Sequence, residues 1–402
     1  MNSLLIAMRN IRRDGGRVLS TVLIIAVGLA ALLTGNGFML STYDALQEIA
    51  MRSEGHVIVL AADPDPMPGG AHQQLTLDHW QAIREALWDD ESVLRVLPRA
   101  RFEGMISKGG RSAAFFGSGV DPGEEFKVHG PFLRTTNVLD PWLAADAMPE
   151  VMLGTGLARI LGAEEGDSLT LHTLRGDGQS ARLRVRLAGL YHSGTPASDD
   201  HTLMVSLDSA AALLGSDRIS QLSIYLQRPA QAATFSQALQ NSLPGVTVQT
   251  WKQRAELYDK VKSQYDRIFG VMGLIILTVV FLAISNTIAL AIYQRRAEIA
   301  TLGALGTPPA RLYTNFVIEA CLMGIIATTL GMLLAYILAN AINLAELMMP
   351  APPGKSEGYP IYIYVSWPHY LAASGILIAI VALASLLAAY NNARVNIAKA
   401  LS

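Results

Sequence analysis

The chain has 402 residues, of which 51% are hydrophobic and 16% are charged, whereas soluble domains carry roughly 25% charged residues. This composition indicates a membrane protein with two or more domains and excludes an ordinary soluble protein. The formal net charge of −2 gives no indication of nucleic acid or another polyanion as a partner.

Four apolar runs are long enough to cross about 30 Å of hydrocarbon as helices. They cover residues 18–40, 268–292, 312–340 and 369–390, and the first two carry no charged residue. The first run is longer than a signal-peptide core and ends without a small-residue cleavage site, so we expect it to be retained. The sequence therefore predicts four transmembrane helices.

Basic residues near the ends of these runs set the expected orientation. They gather before the first run, between the second and third, and after the fourth: Arg9, Arg12, Arg13, Arg17, Arg295, Arg296, Arg311, Arg394 and Lys399. The loop 341–368, on the opposite side, carries only Lys355. We therefore expect an inner-membrane protein with both termini, including the tail 391–402, in the cytoplasm and residues 41–250 in the periplasm.

Residues 41–250 alternate between strand and helix patterns, which predicts a mixed α/β domain. We expect a strand at 56–62, a helix at 75–88 capped by Thr76, a hairpin turned at Gly109-Gly110 and a half-buried strand at 182–194. The single cysteine, Cys321, falls in the third apolar run, so we expect no disulfide in this domain.

A helical pattern follows this domain directly and runs into the second apolar run. Leu257, Val261 and Ile268 recur at helical spacing, and no proline interrupts residues 251–292. One helix of that length measures about 60 Å. We therefore predict a stiff stalk helix that joins the outer domain to the membrane.

Motifs for phosphate binding, zinc proteolysis and thiol redox chemistry are missing from the sequence. The densest group of ligand-like residues lies in YHSGTPASDDH and comprises His192, Asp199, Asp200 and His201. These side chains suit several divalent ions, but polar loops at strand ends have the same composition, and we favour a solvated loop. We therefore predict no catalytic residue, no metal site and no cofactor bound by this chain, which we expect not to be an enzyme.

A polar insert, YQRRAEIATLGALGTPPAR, separates the second and third apolar runs at residues 293–311. It predicts a short helix with three apolar residues on one face, Ile299, Leu302 and Leu305. Gly306 can end this helix in the left-handed conformation, and Thr307 can cap the next one. Such a helix suits either the docking of a soluble partner or a position on the lipid surface, and the spacing alone favours neither.

The insert and the start of the third run follow the pattern RRAEIATLGALG-x5-L-x3-F-x2-EA-x3-G. This pattern resembles the signature of FtsX-like permeases of the MacB and LolC/LolE type of ABC transporters. The segments IAMRNIRRDGGRVLSTVLIIAVG, LGTGLARILGAEEGDSLTL and LAGLYHSG resemble other parts of that family, in the right order. The resemblance covers nearly the whole chain, with four transmembrane helices and a large MacB-like periplasmic domain.

The resemblance implies that residues 1–17 form an amphipathic cytoplasmic elbow. It also implies that the insert contacts a separate ATPase through Arg295, Arg296, Glu298, Ile299, Leu302, Leu305 and Gly306. Two permease chains, identical or different, would work over an ATPase dimer that binds ATP and Mg²⁺. Motion would pass along the stalk to the outer domains, a mode called mechanotransmission. Membrane lipids are further partners, and a periplasmic adaptor or acceptor remains open.

Glu319 lies two turns inside the third run, where an unpaired carboxylate costs at least about 2.5 kcal/mol. We expect it to pair with Arg295, Arg296 or Arg311, as a bracket between the insert and the third span rather than as a proton relay. Gly324 and Gly331 belong to a stripe of small residues in the same run, which predicts close packing against the second or fourth span.

As to substrate, the resemblance implies outward movement of a lipoprotein, a lipid, a peptide or a drug. Residues 170–190 are too few for the hook with which LolC engages a periplasmic acceptor, so we do not expect that kind of handover. The alternative is an FtsX-like signalling scaffold that activates a periplasmic enzyme without transport. The outer domain, much larger than that of FtsX, favours transport.

Overall fold

The computed structural model describes residues 15–62, 77–130, 133–139, 148–297, 299, 301, 308–349 and 359–392. The chain divides into two compact units. The membrane unit comprises residues 1–44, 260–348 and 360–402, and the outer unit comprises residues 45–259 and 349–359.

The helices are α1 (Gly15–Glu54), α2 (Trp80–Trp88), α3 (Pro122–His129), α4 (Thr155–Leu161), α5 (Pro196–Asp199), α6 (Leu207–Leu214), α7 (Ala232–Ser242), α8 (Trp251–Arg254), α9 (Glu256–Gln294), α10 (Pro309–Leu344) and α11 (Trp367–Asn392). The strands are β1 (Val57–Ala61), β2 (Val93–Lys108), β3 (Arg111–Val120), β4 (Arg134–Thr135), β5 (Glu150–Gly154), β6 (Ser168–Leu174), β7 (Ser180–His192), β8 (Thr202–Ser206), β9 (Gln221–Leu226), β10 (Val246–Thr250), β11 (Met348–Met349) and β12 (Tyr359–Pro360).

Four of these helices, α1, α9, α10 and α11, are long and apolar enough to cross a membrane. They contain the four predicted runs, so the prediction of four such helices is confirmed. The elements extend past the runs, and α1 continues from the first run to Glu54. The predicted runs are thus the apolar parts of longer helices, and polar residues after residue 40 still form helix.

The prediction of one unbroken helix over residues 251–292 is wrong. Ala255 has φ −85° and ψ 57°, which separates the four-residue helix α8 from α9. A capping box between Thr250 and Gln253 starts α8, and the Trp251 N–H donates to the His56 carbonyl at 3.1 Å. These contacts hold α8 to the sheet, so the long helix begins only at Glu256.

Apolar side chains from all four long helices form the core of the membrane unit, including Ile25, Leu29, Ile284, Ala327 and Val381. The opposite faces of the same helices expose large apolar residues, such as Leu274 at 66% and Leu371 at 65%. Helices that are apolar all round suit a lipid surround. Inside the unit, the hydroxyls of Thr21 and Thr287 lie 2.8 Å apart and satisfy each other.

The two glycines of the predicted stripe pack against different helices. A Cβ added at Gly324 would lie 3.3 Å from Val381 on α11, which confirms packing against the fourth span. A Cβ at Gly331 would lie 2.9 Å from the Ala26 carbonyl and 3.1 Å from the Leu29 Cβ, so this glycine packs against the first span. That neighbour was not predicted, because a stripe of small residues does not identify its partner.

We expect Gly331→Leu to destabilise the membrane unit by about 1–3 kcal/mol, because the added side chain must push α1 away from α10. Gly375→Leu is the matched control, since a Cβ there meets nothing within 4 Å. Thermal unfolding in detergent measures both. Equal melting temperatures for the two variants would contradict the close contact.

The outer unit is built on a ten-stranded mixed sheet with the order β10-β1-β9-β2-β3-β8-β5-β7-β4, in which β6 pairs with β2 and β7. The pairs β3·β8 and β5·β7 are parallel, and the other pairs are antiparallel. One apolar cluster includes Trp80, Leu222 and Leu239, and a second includes Phe102 and Leu157. The predicted mixed α/β domain is confirmed.

The predicted hairpin and alternating strand are present in this unit, and the predicted start of one helix needs a correction. Gly109 and Gly110, with φ of 55° and 101°, form the two-residue turn between β2 and β3, and β7 alternates between buried and exposed residues as expected. The helix predicted from residue 75 begins at Trp80, because Leu77 instead forms a β-bridge with Ile219. Its predicted cap, Thr76, lies outside the described residues.

A side-chain amide covers part of the free edge of β10, which pairs among the described strands with β1 alone. Gln240 of α7 donates to the Val246 carbonyl at 2.8 Å and accepts from the Val248 N–H at 2.7 Å. Gln253 accepts from the Thr250 N–H at 2.8 Å. These groups would otherwise be open to pairing with another strand.

Candidate coupling site

The start of the polar insert continues the helical path of α9. The Ile299 N–H donates to the Arg295 carbonyl at 2.9 Å, and the Thr301 hydroxyl donates to the Ala297 carbonyl at 2.8 Å. Ile299 packs against the apolar core of the membrane unit. The described residues 296, 297, 299 and 301 are helical, and Ile299, the first apolar residue of the predicted face, packs against protein.

Arg295 and Glu319 form an ion pair that joins the insert to α10. Arg295 Nη1 lies 3.3 Å from Glu319 Oε2, and the two side chains are 11% and 8% exposed. The sequence predicted a partner for Glu319 among three arginines, and Arg295 provides it. A carboxylate at this depth is tolerated because a guanidinium, which is always charged, lies beside it.

The neighbourhood of Glu319 is closely packed. Phe316, one turn earlier, is buried, and its carbonyl accepts a hydrogen bond from the Ser385 hydroxyl of α11 at 3.2 Å. Ala320 is fully buried. The pair therefore lies next to a point where α10 is bonded to α11.

Several predicted coupling residues cannot be placed. Glu298, Leu302, Leu305 and Gly306 lie outside the described residues, as does Thr307. Arg296 is half-buried. The next helix begins at Pro309 with Pro308 in the cap position, in an extended conformation. This differs from the predicted Thr307 cap, because a residue that precedes proline disfavours the helical region, which leaves Pro308 extended.

The predicted stalk residues take different positions. Val261 is half-buried, whereas Ile268 is 55% exposed, and the side chain of Leu257 lies outside the described residues. Contacts with α1 include those of Tyr265, whose ring meets those of Phe38 and Tyr43 at centroid distances of 6.5 and 6.4 Å. Tyr265 lies one turn after Val261, so an aromatic ring that was not predicted contributes to the packing of this face.

The outer unit buries a charged group that the sequence patterns did not indicate. We call it the Arg99 cluster, and it comprises Arg99, Glu125, His129 and Tyr225. Arg99 Nη2 lies 2.7 Å from Glu125 Oε1 and donates to the Tyr225 hydroxyl at 2.9 Å, while His129 Nε2 lies 3.1 Å from the same Glu125 oxygen. The Arg99 and Glu125 side chains are only 5% and 2% exposed.

Electrostatics fix the charge states in this cluster. Burial acts to raise the pKa of Glu125, but the Arg99 charge and the hydrogen bond with His129 outweigh it and hold that pKa below its usual value. Burial likewise raises the pKa of Tyr225 to about 12. Arg99 lies two residues after the buried Leu97 on β2, and residues two apart on a strand share a face. This spacing is the feature of the sequence that could have predicted the burial of Arg99.

The candidate metal residues form a hydrogen-bonded corner. His192 Nδ1 lies 2.6 Å from Asp199 Oδ2, and Asp199 Oδ1 accepts from the N–H and hydroxyl of Ser193 at 3.0 and 2.7 Å. Asp199 is 1% exposed, so the predicted solvated loop is wrong here, while Asp200 pairs with Arg159. Within the described part of the chain, no three His, Cys, Asp or Glu residues are grouped to hold a metal ion.

Comparison with known proteins gives two family matches in chain order. The MacB-like periplasmic core domain matches residues 18–242, more than half of the chain, and the FtsX-like permease C-terminal domain matches residues 270–397.

Comparison with individual proteins gives the following similarities. The lipoprotein-releasing system transmembrane protein LolE of Haemophilus influenzae is 23% identical over 387 residues, which is 92% of this chain and 89% of that protein. LolC of Neisseria meningitidis is 24% identical over 271 residues, and the match spans 64% of each protein. The periplasmic region of MacB from Actinobacillus actinomycetemcomitans aligns with a TM-score of 0.37 at 11% identity, covering 52% of this chain and 95% of that structure.

Proposed function

Because this chain belongs to the FtsX-like permeases that carry a MacB-like periplasmic core domain, we propose that it couples ATP hydrolysis by a separate ATPase to movements of its outer unit. It is an ABC transporter permease of the LolC, LolE and MacB type. In this proposal the ATPase dimer binds ATP and Mg²⁺, and two permease chains pair above it.

The proposed topology places both termini and the polar insert in the cytoplasm and the outer unit in the periplasm. It is supported by the basic residues beside the insert, since positive charge favours the cytoplasmic side. The insert is then the part of the chain that an ATPase in the cytoplasm can reach.

The Arg295–Glu319 pair is the observation that carries the proposed coupling role. It joins the beginning of the insert to α10 with both side chains almost fully buried. A load on the insert therefore reaches α9 through the chain and α10 through the ion pair. A helix that only rested on lipid would need no such bracket.

The substrate class in this proposal is a lipoprotein or another lipid-bearing molecule. Support comes from the relatives that align over most of their length, which are named as lipoprotein-releasing system proteins. The connection between β6 and β7 is the short turn Arg175–Gln179, closed by a 2.8 Å bond from the Arg175 N–H to the Gln179 carbonyl. In this proposal, release therefore needs no hook at that position.

The coupling role predicts that Glu298→Arg together with Leu302→Arg abolishes copurification of an ATP-binding protein with the full chain. The reason is that a reversed charge and a charged group on the apolar face would both oppose docking. Glu164→Arg, the same charge change at an exposed residue of the outer unit, is the control and should retain the partner. Unchanged association in the double variant would remove the insert as the docking element.

The same purified complex distinguishes transport from signalling. In nanodiscs, a transporter should co-isolate lipid or lipoprotein, and added lipoprotein should stimulate its ATP turnover. A bound periplasmic hydrolase, with ATP turnover indifferent to lipid and peptide, would instead establish an FtsX-like scaffold.

A further inference from the structure

Two long helices, α1 and α9, cross the boundary between the membrane and outer units, at residues 44–45 and 259–260. Within the outer unit, α1 contributes its last turns, and α8 lies immediately before α9. Movement that passes along the chain from these helices enters the outer unit through these two segments. The contacts that hold them therefore decide how that movement is distributed.

Side chains from the sheet fasten the end of α1. The last carbonyls of a helix have no partner within the helix. Here the Arg52 carbonyl accepts from the Tyr225 hydroxyl of β9 at 2.8 Å, and the Ser53 carbonyl accepts from the Arg99 guanidinium of β2. Gly55, with φ 98°, ends the helix and donates to the Met51 carbonyl at 2.9 Å. The helix end is thus bonded to two neighbouring strands.

Glu54 links this helix end to α8. Its carboxylate accepts from Arg101 Nη2 of β2 at 2.9 and 3.1 Å, and its Oε2 lies 3.4 Å from Arg254 Nε of α8. A carboxylate at a helix C-terminus is unfavourable beside the helix dipole, so the two arginines also offset that repulsion. One residue therefore touches the end of α1, helix α8 and the central strand β2.

The charges of this group are stable. Burial acts to raise the pKa of Glu54, but the Arg101 and Arg254 charges outweigh it and keep that pKa below its usual value. The side chains of Glu54 and Arg254 are 26% and 27% exposed, so the pair is more protected than an ordinary surface ion pair. The Arg99 cluster adjoins these residues, because the Arg99 guanidinium donates to the carbonyl of Ser53, the residue before Glu54.

We propose that Glu54, with Arg101 and Arg254, is a charge junction that fastens the last turn of α1 and helix α8 to β2, so that these three elements move as one body. Resting on the proposed function, this junction assigns Glu54 and Arg254 as positioning residues that pass ATP-driven movement of either long helix to the sheet. Neither residue contacts substrate or nucleotide in this role.

Hydrogen exchange of the full chain in nanodiscs tests the fastening. In Arg254→Gln, amides at 251–256 should exchange on the order of tenfold faster than in the wild type, and Glu54→Gln should extend the effect to Gly55 and His56. Arg254→Lys, which keeps a charge without the planar donors, should restore part of the protection. Glu150→Gln removes the carboxylate that pairs with Arg186 elsewhere in the unit and should leave these amides unchanged.

Wild-type exchange rates at 251–256 in Arg254→Gln would overturn the junction, and so would equal acceleration in Glu150→Gln. Folding of every variant is checked by unchanged exchange in β8, which lies in a different part of the sheet from the junction and contains none of the substituted residues. This measurement needs no ATPase, so its result stands whether or not the proposed function is correct.

Vanadate trapping of the ATP-binding protein that copurifies tests the transmission. In the wild type, trapping should change exchange in β2 and β9 as well as in α9. In Arg254→Gln the change in the strands should disappear while the change in α9 persists. Equal changes in both proteins would overturn the transmission role alone, whereas no change in the wild type would overturn that role together with the proposed function.

Discussion

Arg99→Met is expected to lower the free energy of unfolding of the outer unit by about 3–5 kcal/mol. The substitution leaves the Glu125 carboxylate, 2% exposed, with His129 as its remaining partner in the Arg99 cluster. It also removes the donor to the Ser53 carbonyl. Urea titration of the full chain in detergent, followed by near-UV circular dichroism, measures the change.

A double variant separates charge from packing. Arg99→Met with Glu125→Met should recover most of the loss, because a buried ion pair replaced by apolar groups of similar size is often nearly neutral. A residual cost of about 1–3 kcal/mol should remain from the unsatisfied Ser53 carbonyl. Arg159→Met, at a pair whose side chains are 77% and 35% exposed, is the control and should cost about 0–1 kcal/mol. An Arg99→Met cost no greater than this control would contradict a buried, charge-dependent cluster.

Glu319→Leu is expected to destabilise the membrane unit by about 3–5 kcal/mol, because Arg295 is then left buried without its carboxylate. Folding free energy in mixed micelles, measured by titration with a denaturing detergent, reports this loss. The exposed pair of Lys262 and Asp266 on α9 provides the control, and Lys262→Leu should cost about 0–1 kcal/mol.

Exchanging the charges tests whether the two residues act as a pair. Arg295→Glu alone places two carboxylates together, and Glu319→Arg alone places two guanidiniums together, so each should be at least as damaging as Glu319→Leu. The combination of both exchanges should restore most of the stability and the association with the ATPase. Failure of the combination to improve on either single variant would show that the side chains do not depend on each other.

The features predicted well from the sequence are those that local physics determines. Long uncharged runs specify membrane-spanning helices whatever their neighbours are, and Gly109-Gly110 specifies a tight hairpin because both residues need positive φ. The need of Glu319 for an arginine was also predictable, since a lone charge in an apolar run must be compensated. These predictions require no knowledge of distant contacts.

The features that were missed depend on partners far apart in the chain. Arg99 looks like an exposed strand residue until Glu125 and Tyr225 are brought to it by the sheet and by α3. The break at Ala255 follows from the attachment of α8 to His56 and Glu54, which no helical pattern records. The partner of Gly331 was likewise hidden, because periodicity shows a face and not what lies against it.

The glutamine that covers β10 has a consequence for the life of the protein in the cell. An unpaired strand edge can pair with the edge strand of a neighbouring copy and start aggregation, especially where many identical chains are anchored in one membrane. The side-chain amide of Gln240 on α7 occupies the hydrogen-bonding groups of Val246 and Val248 as a neighbouring strand would, and one residue thereby blocks such pairing there. The outer units of neighbouring chains can then be crowded together without aggregating through this part of β10.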